Sequence, residues 1–214
     1  MKKLTALALV LILTLALFAG CKNNSNPETS PSATPSGDVP SSPDASAAPE
    51  IDDPSDTLLA QLVEEMNNYL GDASGPLLLD PVTADTAQNM LGLTAEQFSQ
   101  YVTDASAASG ALNTMPDEFA LIRCNDADAA QAVKQLVRNG FDPGKWICVR
   151  PELAFVIESD SYVLLACSGL QNCIAVQNAF NSIFGEVNLG QIDVFFAGDA
   201  TPTDLDGGGI VTAP

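Results

Sequence analysis

The sequence contains no histidine in 214 residues. That absence excludes histidine-based triads, histidine general bases and most catalytic zinc sites. Positive charge is scarce as well: 8 Lys and Arg stand against 27 Asp and Glu, a formal net charge of -19. Such a surface repels phosphate backbones and resists lying flat on an anionic bilayer, so nucleic acid is not an expected partner. No CxxC pair occurs among the cysteines, which removes the usual signature of a structural zinc site. Without histidine a cysteine also lacks its common activating base, and nucleophilic thiol chemistry is not expected.

What is present begins with an address. Met1-Lys2-Lys3 is a positive start, LTALALVLILTLALF an unbroken apolar run, and Ala19-Gly20-Cys21 follows. This is the build of a secretory signal peptide over 1–20. The closing FAGC resembles a bacterial lipobox, with Phe18 where leucine is usual. The resemblance implies that Cys21 takes a diacylglyceryl group and becomes the new N-terminus. The competing reading, an uncleaved membrane helix with a free Cys21, fits less well because the apolar run is short for a span of about 20 residues. Two acyl chains anchor stably where one is marginal. No acid precedes Glu28, so removing Lys2 and Lys3 with the leader takes the charge from -19 to -21.

Residues 21–55 are rich in Pro, Ser, Ala, Thr and Asp and nearly free of large apolar side chains. Such a segment cannot bury enough surface to offset its ordering entropy, and its prolines favour extended conformations. At about 3.1 Å per residue it reaches on the order of 100 Å when fully extended. It reads as a tether lifting a domain off the outer face of the cytoplasmic membrane. O-glycosylation of its Ser/Thr-Pro cluster is a secondary reading.

A single domain is expected over 56–198, with a flexible acidic, glycine-rich tail over 199–214. Leu58, Leu59, Leu62, Val63, Met66, Tyr69 and Leu70 recur at helical spacing, with Ser55 or Asp56 as cap and Gly71 as stop. Leu77–Val82 is a short extended piece interrupted by Pro81. Asp85-Thr-Ala-Gln88 and Thr94-Ala-Glu-Gln97 each have capping-box form. The first opens a short helix ending near Gly92, the second one carrying Phe98, Tyr101 and Val102 inward. The small residues Ala105–Gly110 predict a loop.

Phe119–Cys124 is apolar on both alternating faces, as for a central strand or one covered on both sides. Asn125-Asp126 offers a cap for a helix whose stripe is Ala129, Ala130, Val133, Leu136 and Val137, with Gln131, Lys134, Gln135 and Arg138 opposite and Asn139-Gly140 at its end. After the turn FDPGK, Trp146–Val149 reads as a short strand. Leu153–Ile157 and Tyr162–Cys167 flank a hairpin loop of about four residues, Glu158–Ser161. Leu170, Cys173, Val176, Phe180, Ile183 and Phe184 mark a last helix, and Gln191–Ala197 alternates enough for an edge strand. The class is α+β: a small, mainly antiparallel sheet, strand-helix-hairpin-helix in order, with helices packed on it and a helical lead-in.

The helix LTAEQFSQYV, the word MPDEFALIRC with its helix DADAAQAVKQLV, and SDSYVLLACS running into an apolar helix resemble one family. These are the bacterial lipoprotein domains catalogued as domain of unknown function 4358. The resemblance spans Leu77–Gly185. It implies a small extracytoplasmic α+β module in Gram-positive bacteria and brings no activity, so no site residue is carried over. The short turn FDPGK departs from the longer helix and aromatic connector that members of the family often have.

Cys124, Cys148 and Cys167 lie in apolar strand patterns and Cys173 on the apolar helix stripe, so all four read as small core hydrophobes. Export also permits disulfides, and Cys167–Cys173 is the pairing easiest in sequence. Asp117-Glu118 and Glu158 with Asp160 are carboxylate pairs of the type glycosidases use, but pairs of this kind arise by chance among 27 acids. Asp199, Asp204 and Asp206 with Gly207–Gly209 lack the distal glutamate of a calcium loop. No catalytic, cofactor or metal residue is assigned; the assigned site is lipidation at Cys21. The expected function is a non-enzymatic binding or accessory module of the bacterial cell envelope, held by its lipid anchor and open to an envelope protein partner. A carboxylate-dependent envelope hydrolase is the alternative.

Overall fold

The computed structural model describes residues 51–71, 75–112, 115–185 and 192–198. The leader, Cys21, most of the tether and the aspartates of the tail lie outside them. Among the described residues no helix is long and apolar enough to cross a membrane. Six antiparallel strands form one sheet: β1 (Leu77–Pro81), β2 (Val102–Gly110), β3 (Glu118–Cys124), β4 (Leu153–Ser159), β5 (Tyr162–Ser168) and β6 (Ile192–Ala197). Their spatial order is β1-β2-β3-β5-β4-β6. Among the described residues five helices accompany them: α1 (Ser55–Leu70), α2 (Ala87–Leu91), α3 (Ala95–Tyr101), α4 (Ala127–Gly140) and α5 (Leu170–Phe184). The class is thus α+β with helices packed on an antiparallel sheet, as the sequence predicts.

The helices cover both faces. Strand side chains alternate, and the alternation divides the core in two. Phe119, Leu121, Phe155, Ile157 and Leu164 meet α1 and α5. Ala120, Ile122, Val156, Val163 and Leu165 meet α2 and α4. This explains why β3 and β5 read as continuous apolar runs: they are central strands buried on both sides.

Several local expectations hold. Gly71 and Gly92 end α1 and α2 in the left-handed conformation. Thr94 and Gln97 close both halves of a capping box on α3, and Asp126 accepts from Ala129 N at 2.7 Å to cap α4. Phe98 and Tyr101 of α3 are half-buried, while Val102 is buried but already opens β2. Pro81 ends the edge strand β1, where no hydrogen-bond donor is missed. Leu78 and Leu79 of that edge are exposed, and Asp80 and Pro81 blunt it. Ile192–Ala197 is the opposite edge strand, paired with β4.

Other expectations give way. Ala105–Gly110 is not a loop but most of β2, paired with β1 over 106–110 and with β3 over 105–109. Small residues have little strand preference, but here a neighbour on each side supplies the ladder and the close packing suits Ala. Trp146–Val149 belongs to no strand; the segment from Phe141 to Glu152 is irregular. The hairpin loop is two residues, because Glu158 pairs with Val163 and Ser159 with Tyr162. Asp160 makes that turn at φ 48°, a conformation aspartate tolerates better than most. The capping box at Asp85–Gln88 does not form; α2 is preceded by a turn in which Thr83 N donates to Thr86 Oγ1 at 2.9 Å. Tyr69 is exposed. Lys134, placed by periodicity on the polar side of α4, is buried and pairs with Glu158 at 3.4 Å.

Neither Ser55 nor Asp56 caps α1 with its own side chain. Ser55 N donates instead to Asp104 Oδ1 of β2, at 2.7 Å. Ile51 packs on the core, Asp52 pairs with Arg123 at 2.9 Å, and Tyr162 donates its hydroxyl to Asp53 O at 2.8 Å. The stretch 51–54 is therefore fastened to the sheet before the first helix begins.

Candidate functional site

Glu118 opens β3 in register with Ser109 of β2 and Cys167 of β5. Its side chain shares the face of Ala120 and Ile122, and burial there leaves it 3 % exposed. A buried carboxylate needs a partner, and Lys145 supplies one in direct contact. The Lys145 ammonium also donates to Asn89 O at 2.9 Å. It lies 4.7 Å from the ring centre of Phe141 and 5.1 Å from that of Trp146, within cation–π range. Beside this group opens a cavity of about 260 Å³, bordered by Met90, Ser109, Met115, Glu118, Lys145 and Trp146 among others.

Burial pushes the Glu118 carboxyl above its ordinary value, and the Lys145 charge pulls it part of the way back. A carboxyl raised in the folded state holds its proton longer there than in the unfolded chain. Its favourable contribution is present below the ordinary value of 4.5 and is lost as pH rises through the folded value. The melting temperature of the native chain minus that of Glu118→Gln is therefore expected to fall between pH 4 and pH 8. Thermal melts across that range check it, and a flat or rising difference would refute the assignment.

Asp117 also borders the cavity, yet its carboxylate serves the other face of the sheet. It accepts from Ser168 Oγ, and from Asn172 Nδ2 of α5 at 3.3 Å. Asp117 and Glu118 are adjacent in sequence and so diverge, which keeps them from flanking one bond as a glycosidase pair must. Glu158 and Asp160 are likewise separated: Glu158 turns to Lys134, and Asp160 sits in the hairpin turn. Among the described residues no cluster of three or more Cys, Asp or Glu could hold a metal ion.

The cysteines divide differently from their sequence pattern. Cys124, Cys167 and Cys173 are buried core residues as expected, but Cys148 is exposed on the irregular segment after Trp146. The four are free thiols, so Cys167–Cys173 is not bridged; Cys173 Sγ faces Leu153 O at 3.7 Å. Burial pushes the Cys124 thiol up to about 12 and those of Cys167 and Cys173 further up.

A second cavity of about 400 Å³ lies where α1 begins, against Pro81, Phe98 and Asp104. Its Asp104 is committed to Ser55 N and to Arg123. The Glu118–Lys145 group escaped sequence reasoning because 27 positions separate its charges. The available signal was a rare lysine set between Phe141 and Trp146. The chain matches no family model, no curated protein and no solved structure.

Proposed function

We propose that this chain is a lipid-anchored protein of the bacterial cell envelope, whose domain is a non-enzymatic binding or accessory module held outside the cytoplasmic membrane by Cys21 and its tether. The observation that carries the binding reading is the state of the acids around the 260 Å³ cavity. Glu118 is neutralised by Lys145, Asp117 is held by Ser168 and Asn172, and the two face apart. A two-carboxylate glycosidase would need a second carboxylate opposing Glu118 across a substrate bond. The cavity instead presents hydrogen-bonding groups beside apolar Met90, Met115 and Trp146, the mixture that recognition sites use. The leader supports the anchored, extracytoplasmic part of this reading.

The anchor is tested by labelling cells with palmitate. Label is expected on the native chain and absent from Cys21→Ser, and globomycin is expected to leave the leader uncut. Label retained by Cys21→Ser would remove the anchor from the proposal. Crosslinking in intact cells tests the module: a reproducible partner is expected, and turnover of an envelope polymer by the purified chain would favour the hydrolase.

A further inference from the structure

The Lys145 side chain is held in the way a free amine would be. An ammonium has three N–H donors and no acceptor. Around Nζ converge a buried carboxylate, a backbone carbonyl at 2.9 Å, and two aromatic rings at 4.7 and 5.1 Å. Glu118 comes from β3 and Asn89 from α2, so two of the acceptors belong to the fold and not to the segment that carries the lysine.

That segment is fastened by Phe141 and Trp146, which pack on the core, and is lightly tied between them. Between α4 and β4 it forms neither helix nor strand. The turn around Lys145 is closed by local bonds to Asp142, from Gly144 N at 2.8 Å and Lys145 N at 3.3 Å. Ile147 just beyond is 98 % exposed. Lys145 can therefore swing toward water without breaking a sheet ladder or a helix.

The neighbouring cavity of about 260 Å³ has room for on the order of eight waters, which suits an aminoalkyl chain. Met90, Met115 and Trp146 offer it soft apolar contacts. At the box itself Glu118 balances Lys145, so an occupant that displaces Lys145 must carry its positive charge. In a chain of net charge -19 this disfavours carboxylate or phosphate ligands and draws cations.

We propose that the Glu118–Asn89–Trp146 box binds a primary alkylammonium group, with Lys145 as its resident and exchangeable occupant. Exchange replaces one ammonium by another at Glu118, so the buried carboxylate is never left without a counter-charge. The ligand is an amine on an apolar stem, either a lysyl side chain of a partner or a small free diamine. This deepens the binding reading above and depends on it only for its biological meaning. An intramolecular occupant competes at an effective concentration on the order of millimolar, so native affinity is expected to be weak and to tighten when Lys145 is removed.

The test uses the full chain in detergent micelles, titrated with cadaverine, with an Nα-blocked lysine amide and with 1-pentanol. Binding is read from Trp146 fluorescence and from melting temperature. Lys145→Ala is expected to melt below the native chain, to regain stability with either amine, and to bind amines about tenfold tighter than the native chain. Lys145→Met, which keeps the stem, is expected to behave likewise should Lys145→Ala fold poorly. Adding Glu118→Gln to either variant is expected to abolish the effect. Equal rescue by 1-pentanol would mean cavity filling alone and would overturn the proposal, as would the absence of any amine effect on both Lys145 variants. Tighter binding of the lysine amide points to a protein side chain, and tighter binding of cadaverine to a free amine; both outcomes support the shared chemistry. Partner capture in cells does not depend on these titrations, so the binding reading and the amine assignment fail separately.

Discussion

Gly140→Ala is expected to destabilise the domain by about 3 kcal/mol, although alanine is the better helix former and Gly140 is the last residue of α4. A Cβ on Gly140 would lie 2.2 Å from the carbonyl oxygen of Gly92 and 3.0 Å from its carbon. The obstacle is backbone, so no rotamer change relieves it. Retreat would instead separate the end of α2 from the end of α4, which both pack on the core containing Leu91 and Val137. Gly92→Ala meets the same contact from the other side, at 2.1 Å from Gly140 C, and carries a positive φ of 74° in addition. It is expected to be at least as damaging.

Gly71 separates the two causes. It has φ 60° and nothing within 4 Å of a built Cβ, so Gly71→Ala is expected to cost about 1 kcal/mol from conformation alone. In thermal melts a loss near 3 kcal/mol lowers the midpoint on the order of 10 °C in a domain of this size. A Gly140→Ala midpoint within about 2 °C of the native one would show that the two helix ends are not in contact.

Thiol reactivity is expected to split the cysteines by several orders of magnitude. At pH 8 the Cys124 thiol, pushed up to about 12, is ionised to a fraction of about 10⁻⁴. The more strongly raised thiols of Cys167 and Cys173 are ionised less still, and burial bars reagents from all three. Cys148 is exposed. Iodoacetamide followed by peptide mass spectrometry is expected to label Cys148 rapidly in the native chain, and the other three only after denaturation. Prompt native labelling of Cys167 would mean that the central strands open far more readily than their burial on both faces implies.

The two sets of expectations draw on different information. Helix stops at Gly71 and Gly92, the Thr94–Gln97 capping box and the Asp126 cap are legible because each bond closes within a few residues. The apolar runs of β3 and β5 are legible because covering a strand on both faces demands apolar residues at every position. Strand β2 is not: Ala105, Ala107 and Ala108 carry almost no local preference, and only pairing with β1 and β3 makes them a strand. The sequence offers Ser55 or Asp56 as the cap of α1 and none for α5, because the acceptors actually used are remote. Asp104 serves Ser55 N, and Glu152 serves Leu170 N at 2.7 Å. Cys148 resembles its buried counterparts in pattern, yet its segment is left outside the sheet.

By itself the sequence determined the leader pattern, the lack of imidazole chemistry, the acidic surface, the α+β class and the order of most elements. These depend on composition and on contacts between near neighbours in the chain. Tertiary structure alone decided the strand order β1-β2-β3-β5-β4-β6, the covering of both sheet faces and the meeting of Gly92 with Gly140. It also brought Glu118 to Lys145. Each of these joins residues far apart in the chain, and its free energy arises from burial and charge pairing that exist only once the sheet has assembled.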